Sequence, residues 1–293
     1  MARIIKGREN RLIEFRRMEM MGIINVTPDS FFADSRAAGA EEALAKAERQ
    51  IAEGARLIDI GGESTRPGSK PVDAEEEIRR ICPVIRKLRE KHPEIMISAD
   101  TYRAETAFAA IESGADMIND ISGLTFEPEI ADVIAKAGAA AVIMHTGGRP
   151  ENMQDRPEYS DVVEDVFAFL KKQTAFAEQR GIGPDQIMID VGIGFGKTAA
   201  HNLTLLQNID RFQTLGFQQL LAVSRKSFIG ALLGREQASE RLAGTLAVTA
   251  FAAEHGVAAA RVHDVKENLD AARMAEALSG KGLQEGPGEG GQL

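Results

Sequence analysis

Residues 117–145 read MINDISGLTFEPEIADVIAKAGAAAVIMH: an apolar run from Met117 to Ile121, a helical pattern from Pro128 to Lys136, a glycine at Gly138 and a second apolar run from Ala140 to His145. Continuous apolar runs mark strands buried on both faces, and such strands alternating with helices build parallel sheets. The glycine suits the left-handed residue that closes a helix. Further runs lie at Met20 to Asn25, Leu57 to Gly61, Ile95 to Asp100, Ile187 to Asp190, Leu220 to Ser224 and Ala259 to His263, which makes eight. Helical patterns fall between them, over Glu41 to Glu53, Ala74 to Lys91, Arg103 to Ser113, Val162 to Arg180, Ala200 to Leu215, Glu240 to His255 and Lys266 to Leu278. Gly54, Gly114, Gly181, Gly216 and Gly256 close several of them. Eight such units predict an α/β fold of one domain, the (β/α)8 TIM barrel, in which catalytic groups collect at the C-terminal ends of the strands. Pro83, inside the second helical pattern, is expected to kink or divide it.

The bulk composition fits that fold. A chain of 293 residues, 44% hydrophobic and 27% charged, is long enough for one barrel with short extras. Its net charge of -9 argues against a nucleic-acid surface, while leaving room for a concentrated anion site. No stretch approaches the roughly 18 consecutive apolar residues of a membrane span, and the first nineteen residues are dense in charge, so a cytoplasmic protein without membrane contact is expected. Residues 1–19 are expected to cap the barrel, residues 20–279 to form it, and residues 280–293, rich in Gly, to be a flexible tail. Cys82, the lone thiol, reads as a small core residue.

Nearly every run ends in a group able to hydrogen-bond, ionise or bind a metal. After the first comes Asn25-Val-Thr-Pro-Asp-Ser-Phe-Phe-Ala-Asp-Ser, whose amide and carboxylate oxygens are hard ligands of the kind Mg²⁺ accepts; taken alone, these are also turn residues. After the second comes Gly61-Gly-Glu-Ser-Thr-Arg-Pro-Gly-Ser, with glycines for close approach and with hydroxyls and Arg66 to grip phosphate. Asp100, Asn119 and Asp190 should point into one mouth, where they suit a flat heterocycle presenting amino and ring N–H donors. Acid-base or glycosidic chemistry by paired carboxylates, or helix capping by Asp100, are the alternatives. Asp190-Val-Gly-Ile-Gly-Phe-Gly-Lys-Thr is not a Walker A loop, because Val191 stands where its first glycine belongs, and a dinucleotide pattern from Gly192 fails at Lys197. The last two runs lead into Ser224-Arg-Lys-Ser-Phe and Arg261-Val-His. Lys226, Arg261 and His263 there suit a polyanion, with surface salt bridges as the weaker reading.

Taken together and in order, these segments, with Asp59-Ile-Gly-Gly-Glu-Ser-Thr-Arg-Pro-Gly and Asn119-Asp-Ile-Ser-Gly, resemble the dihydropteroate synthase family over nearly all of residues 18–279. The resemblance implies a barrel enzyme of folate biosynthesis, a homodimer and sulfonamide target. It would join 6-hydroxymethyl-7,8-dihydropterin diphosphate to 4-aminobenzoate with Mg²⁺, releasing 7,8-dihydropteroate and diphosphate. It further implies Asn25 as the metal ligand, and Asp100, Asn119, Asp190 and Lys226 around the pterin. Thr65, Arg66, Arg261 and His263 would lie along the diphosphate, and Phe31, Pro67, Phe195, Lys226 and Ser227 around the arylamine. Lys226, Arg261 and His263 would assist departure of diphosphate, with Asp34 as a further catalytic candidate. The first loop is longer around Asp34 than is usual in the family, and the continuation Met144-His-Thr-Gly-Gly-Arg-Pro also departs from it, leaving His145 without a role. The related methyltransferase module, which passes a methyl group to a corrinoid protein, has no diphosphate to release. Ser224-Arg-Lys-Ser and Arg261-Val-His therefore favour the synthase; a non-catalytic pterin-binding paralogue is the other alternative.

Overall fold

The computed structural model describes residues 3–27, 36–64, 69, 71–155 and 157–280. Two short strands, β1 (Ile4–Lys6) and β2 (Leu12–Glu14), pair antiparallel. Eight strands follow: β3 (Glu19–Asn25), β4 (Leu57–Gly61), β5 (Met96–Asp100), β6 (Met117–Asp120), β7 (Ala140–Met144), β8 (Ile187–Asp190), β9 (Gln218–Leu221) and β10 (Ala259–Val262). They close in chain order into a parallel barrel, with β10 pairing both β9 and β3. The helices are α1 (Arg36–Ala52), α2 (Ala74–Lys91), α3 (Ala104–Glu112), α4 (Ile130–Ala137), α5 (Val162–Gln179), α6 (Ala199–Gln207), α7 (Ile209–Gln213), α8 (Ser227–Leu233), α9 (Leu242–Glu254) and α10 (Val265–Leu278). Each apolar run therefore lies on one barrel strand, within two or three residues at its ends.

Alternation along the strands divides the barrel interior into two halves. Met21, Leu57, Met96, Met117, Ala140, Met188, Leu220 and Ala259 form an apolar floor, into which Ile5, Ile13 and Phe15 of the N-terminal hairpin pack from below. Two residues further along the same faces come Asp59, Ser98, Asn119, Asp190 and Arg261, so the upper half is polar. The opposite faces, with Ile58, Ile60, Ile97, Ala99, Ile118 and Ile189 among them, pack against the helices. The hairpin is tied on by Arg11, whose Nε donates to Asp116 Oδ1 at 2.6 Å; Arg89 pairs with the same carboxylate.

Helix α2 runs through Pro83 without a break. Ile81, Cys82, Val84, Ile85 and Leu88 are buried on both sides of it, and the carbonyl deprived of a partner belongs to Arg79, which is exposed to water. The helix expected over Ala200 to Leu215 is two, divided at Asn208 (φ -112°, ψ 25°), whose side-chain Nδ2 bonds the Thr204 carbonyl at 2.8 Å. Helix α8 was not anticipated. Gly138 closes α4 at φ 64°, a conformation costly for residues with a Cβ.

Phe15 is only 2% exposed. Replacing it with Ala should lower unfolding stability by about 3–5 kcal/mol, the usual cost of emptying a buried aromatic site. Urea unfolding checks this; a change below about 1 kcal/mol would show that the hairpin does not plug the barrel.

Candidate functional site

The C-terminal strand ends form one registered row, in which Asn25 lies beside Gly61, Gly61 beside Asp100 and Asp100 beside Asn119. Arg261 reaches this row from β10. Its Nε donates to Asp59 Oδ2 at 2.6 Å and its terminal nitrogen to Asp100 Oδ2 at 2.7 Å, while Asn119 Nδ2 donates to Asp59 Oδ2 at 3.0 Å. These bonds decide what remains. Asn119, with its nitrogen engaged, offers its oxygen; Asp100 keeps Oδ1 as an acceptor. Asp190 ends β8, and its Oδ1 accepts from the Gly192 amide at 2.7 Å, leaving Oδ2. Burial raises both carboxyls, with Arg261 opposing it at Asp100 and Lys226 opposing it at Asp190.

Lys226 immediately precedes α8. Its ammonium donates to the Ile193 carbonyl and lies 4.5 Å from the centre of the Phe195 ring. Burial lowers its pKa to about 8, against the pull of Asp190. Arg225, just before it, has φ 55°, unusual for a residue with a side chain. A two-bond ion pair with Asp264, at 2.9 and 2.7 Å, fixes that turn and joins the loops after β9 and β10. Tyr102, Ile121 and Met144, with Phe126 and Phe195 packed on them, form an apolar cluster at the same end.

The positive cluster differs from expectation in its charge. Arg261 does face the mouth, but its charge is balanced by two carboxylates. His263 is held neutral, its pKa pushed down to about 3 by burial and then by Lys46 and Arg261. Ser224 Oγ accepts from the His263 backbone N–H at 3.2 Å and lies 2.9 Å from Nδ1, so the hydroxyl proton is available to Nδ1. With Nδ1 accepting that proton, the neutral ring carries its own proton on Nε2 and can donate from there. Ser227 opens α8 and is exposed. Phe31, Asp34, Thr65, Arg66 and Pro67 lie outside the described residues.

Four residues escaped the reading of the sequence. Asp59 holds Arg261 and Asn119 together; its signal was an acid at an inward position of an apolar strand. Glu63 accepts from Val72 N at 3.0 Å, Tyr102 Oη at 2.9 Å and Arg103 at 2.8 Å, fastening the ends of the loop after β4. Glu77, buried on α2, accepts from Arg103 at 3.1 Å and Thr106 at 2.8 Å. Lys197 is the fourth, paired at 2.9 Å with His145 Nδ1.

Residues 21–263 match the pterin binding enzyme family. The dihydropteroate synthase of Synechocystis sp. is 43% identical over 263 residues, 90% of this chain and 91% of that protein. The chain belongs to the dihydropteroate synthase family. Among solved structures, dihydropteroate synthase of Xanthomonas albilineans with 4-aminobenzoic acid superposes with a TM-score of 0.87 at 40% identity, covering 95% of this chain and 98% of that one. The same enzyme in complex with 7,8-dihydropteroate gives 0.82 at 39% identity, covering 92% and 96%. No helix among the described residues is long and apolar enough to cross a membrane.

The Asp59–Arg261 bond should appear as a coupling in a double-mutant cycle. Asp59→Ala, which leaves the guanidinium with one carboxylate, is expected to cost about 3–5 kcal/mol. Asp59→Ala combined with Arg261→Met should cost less than the sum of the single changes by at least about 1 kcal/mol. Strict additivity in urea unfolding would contradict the bridge.

Proposed function

We propose that this chain condenses 6-hydroxymethyl-7,8-dihydropterin diphosphate with 4-aminobenzoate, giving 7,8-dihydropteroate and diphosphate. One observation carries the assignment to particular residues. Asp100 Oδ1, the Asn119 amide oxygen and Asp190 Oδ2 remain as acceptors at one mouth, with the Lys226 ammonium as donor. A pterin edge presents the complement: an amino group and ring N–H to donate, a carbonyl to accept. The apolar cluster of Tyr102, Ile121 and Met144 gives a flat ring its non-polar surroundings.

The arylamine site is assigned to Phe195, Lys226 and Ser227, with Phe31 and Pro67 from the first two loops. Relatives crystallised with 4-aminobenzoic acid and with 7,8-dihydropteroate support that reading. The diphosphate side is assigned to Thr65, Arg66, Arg261 and His263. With Arg261 balanced and His263 neutral, the positive charge on this side is assigned to Arg66, and His263 supplies its Nε2 proton as a hydrogen bond. A dihydropterin is electron-rich enough to stabilise a cation at its exocyclic methylene, so C–O cleavage runs ahead of attack by nitrogen. An arylamine is already neutral at pH 7, and no strong base is needed. Positioning and stabilisation of the departing charge dominate the rate. Asp34 is retained as a candidate for stabilising the cation.

Asn25 shares the inward face of β3 with Met21 and is half-buried beside Gly61. No group of three or more His, Cys, Asp or Glu suited to a metal occurs among the described residues. A single amide oxygen fits Mg²⁺, which takes its other ligands from water and substrate phosphate, and does not fit a protein-caged metal. When bound, Mg²⁺ neutralises charge on the diphosphate. A homodimer is proposed on the apolar surface of α8 and α9: Leu232 and Leu233 are half exposed, and α9 carries one charged residue, Glu254. A cytoplasmic site of action accords with highly charged substrates that do not cross a bilayer unaided.

Diphosphate release should require both the arylamine and Mg²⁺; release independent of 4-aminobenzoate would refute the synthase reading. A methyltransferase would release none. Acid should weaken pterin recognition, because protonating Asp100 removes an acceptor, and alkali above about pH 8 should weaken it as Lys226 loses its proton. The resulting bell in kcat/KM for the pterin substrate should lose its alkaline limb in Lys226→Met, with kcat/KM reduced by roughly 100-fold or more.

A further inference from the structure

Lys197 is buried and belongs to none of the substrate sites assigned above. It lies at the end of the Gly-rich loop after β8, where five consecutive carbonyls each accept from a side chain. Gly192 and Phe195 accept from Lys197 Nζ, both at 3.0 Å; Ile193 from Lys226; Gly194 from Gln154 at 2.8 Å; and Gly196 from Tyr159 Oη at 2.8 Å. Lys197 Nζ also meets His145 Nδ1 at 2.9 Å and the His145 carbonyl at 3.4 Å, across the barrel rim at the end of β7. An ammonium has three protons and no lone pair, so His145 Nδ1 is the unprotonated nitrogen. Burial, then Lys197, holds that ring neutral, with its pKa pushed down to about 2.

The loop's amides are held as well, Gly192 N by Asp190 Oδ1 at 2.7 Å, Gly194 N by Asn202 Oδ1 at 2.8 Å and Phe195 N by the Gly192 carbonyl at 3.1 Å, but among the described residues Lys197 alone ties the loop to the His145 carbonyl through a side chain. Gly192 and Gly196 adopt φ of 68° and 64°, and a Cβ at Gly192 would collide with the His145 carbonyl. The Phe195 ring therefore depends on what holds the Gly192 and Phe195 carbonyls, whereas the Ile193 carbonyl is held by Lys226 itself. Burial pushes the Lys197 pKa down to about 7, with Asp190 opposing and Lys226 adding to the shift, and the Tyr159 ring faces Nζ at 6.0 Å.

We propose that Lys197 is a positioning residue, an internal hydrogen-bond donor that draws together the carbonyls of His145, Gly192 and Phe195 and so fixes the arylamine side of the pocket. This rests on the synthase reading given above. His145 acquires a role through it, as the neutral acceptor that completes the lysine's coordination.

Lys197→Met keeps the length of the side chain and removes its donors; Lys197→Gln keeps two N–H donors without charge. In Lys197→Met the KM for 4-aminobenzoate should rise about tenfold or more, while kcat and the Kd of the pterin substrate measured without arylamine stay within about threefold. Lys197→Gln should fall between this variant and the parent. An unchanged KM in folded Lys197→Met overturns the proposal, as does an equal loss in all three constants, which marks a general structural role. Failure of both variants to fold also overturns it, since the tie would then serve the fold and not the pocket. The parent protein, assayed alongside, separates the two levels: no arylamine-dependent turnover in the parent refutes the synthase reading itself.

Discussion

Everything at the barrel mouth depends on how one guanidinium is neutralised. Arg261 projects inward from β10 and would be strongly unfavourable there alone, because a buried unpaired charge loses its hydration. Asp59 and Asp100 remove that cost at 2.6 and 2.7 Å, and in doing so they determine the recognition pattern. The Asp100 oxygen given to Arg261 leaves the other for a ligand. The Asp59 oxygen that also takes the Asn119 amine turns the Asn119 oxygen outward. Without the guanidinium, two adjacent carboxylates would repel and one would take up a proton, replacing an acceptor with a donor.

Such a polar interior is tolerable because the stabilising contacts lie elsewhere. The floor of Met21, Leu57, Met96, Met117 and their neighbours is closed by the hairpin, and the outer strand faces are covered by helices. Stability thus comes from below and outside, while the upper layer is set by what it must bind. Fastening follows the same division. Glu63 with Arg103, and Asp264 with Arg225, join neighbouring βα loops outside the mouth without using the groups that face it.

The strands were legible because burial on both faces leaves little but apolar residues in them, and the polar strand ends stood out against that background. Residues whose role depends on partners distant in sequence were less legible. Asp59 belonged to a recognised motif, but its partner Arg261 is 202 residues away, and no local pattern announces the pair. The neutrality of His263 is equally invisible, since it comes from desolvation and from the charges of Lys46 and Arg261. The division at Asn208 and the continuity through Pro83 were decided by tertiary packing, which overrides local propensity. Helix α8, with only seven residues and Gly230 within it, is too short to establish a periodicity.

The Gly-rich segment after β8 shows why composition misleads about polarity. A phosphate loop turns backbone amides toward an anion, and its glycines allow that approach. Here the glycines serve the opposite arrangement. Successive carbonyls face side-chain donors, two of them lysines, so the loop acts as a cation seat. One lysine, Lys226, reaches into the mouth; the other, Lys197, stays behind the loop. The Ile193 carbonyl is held by Lys226, and the Gly192 and Phe195 carbonyls on either side of it by Lys197. The carbonyl that receives Lys226 and the backbone that carries the Phe195 ring thus belong to one short stretch of chain, each with its own lysine.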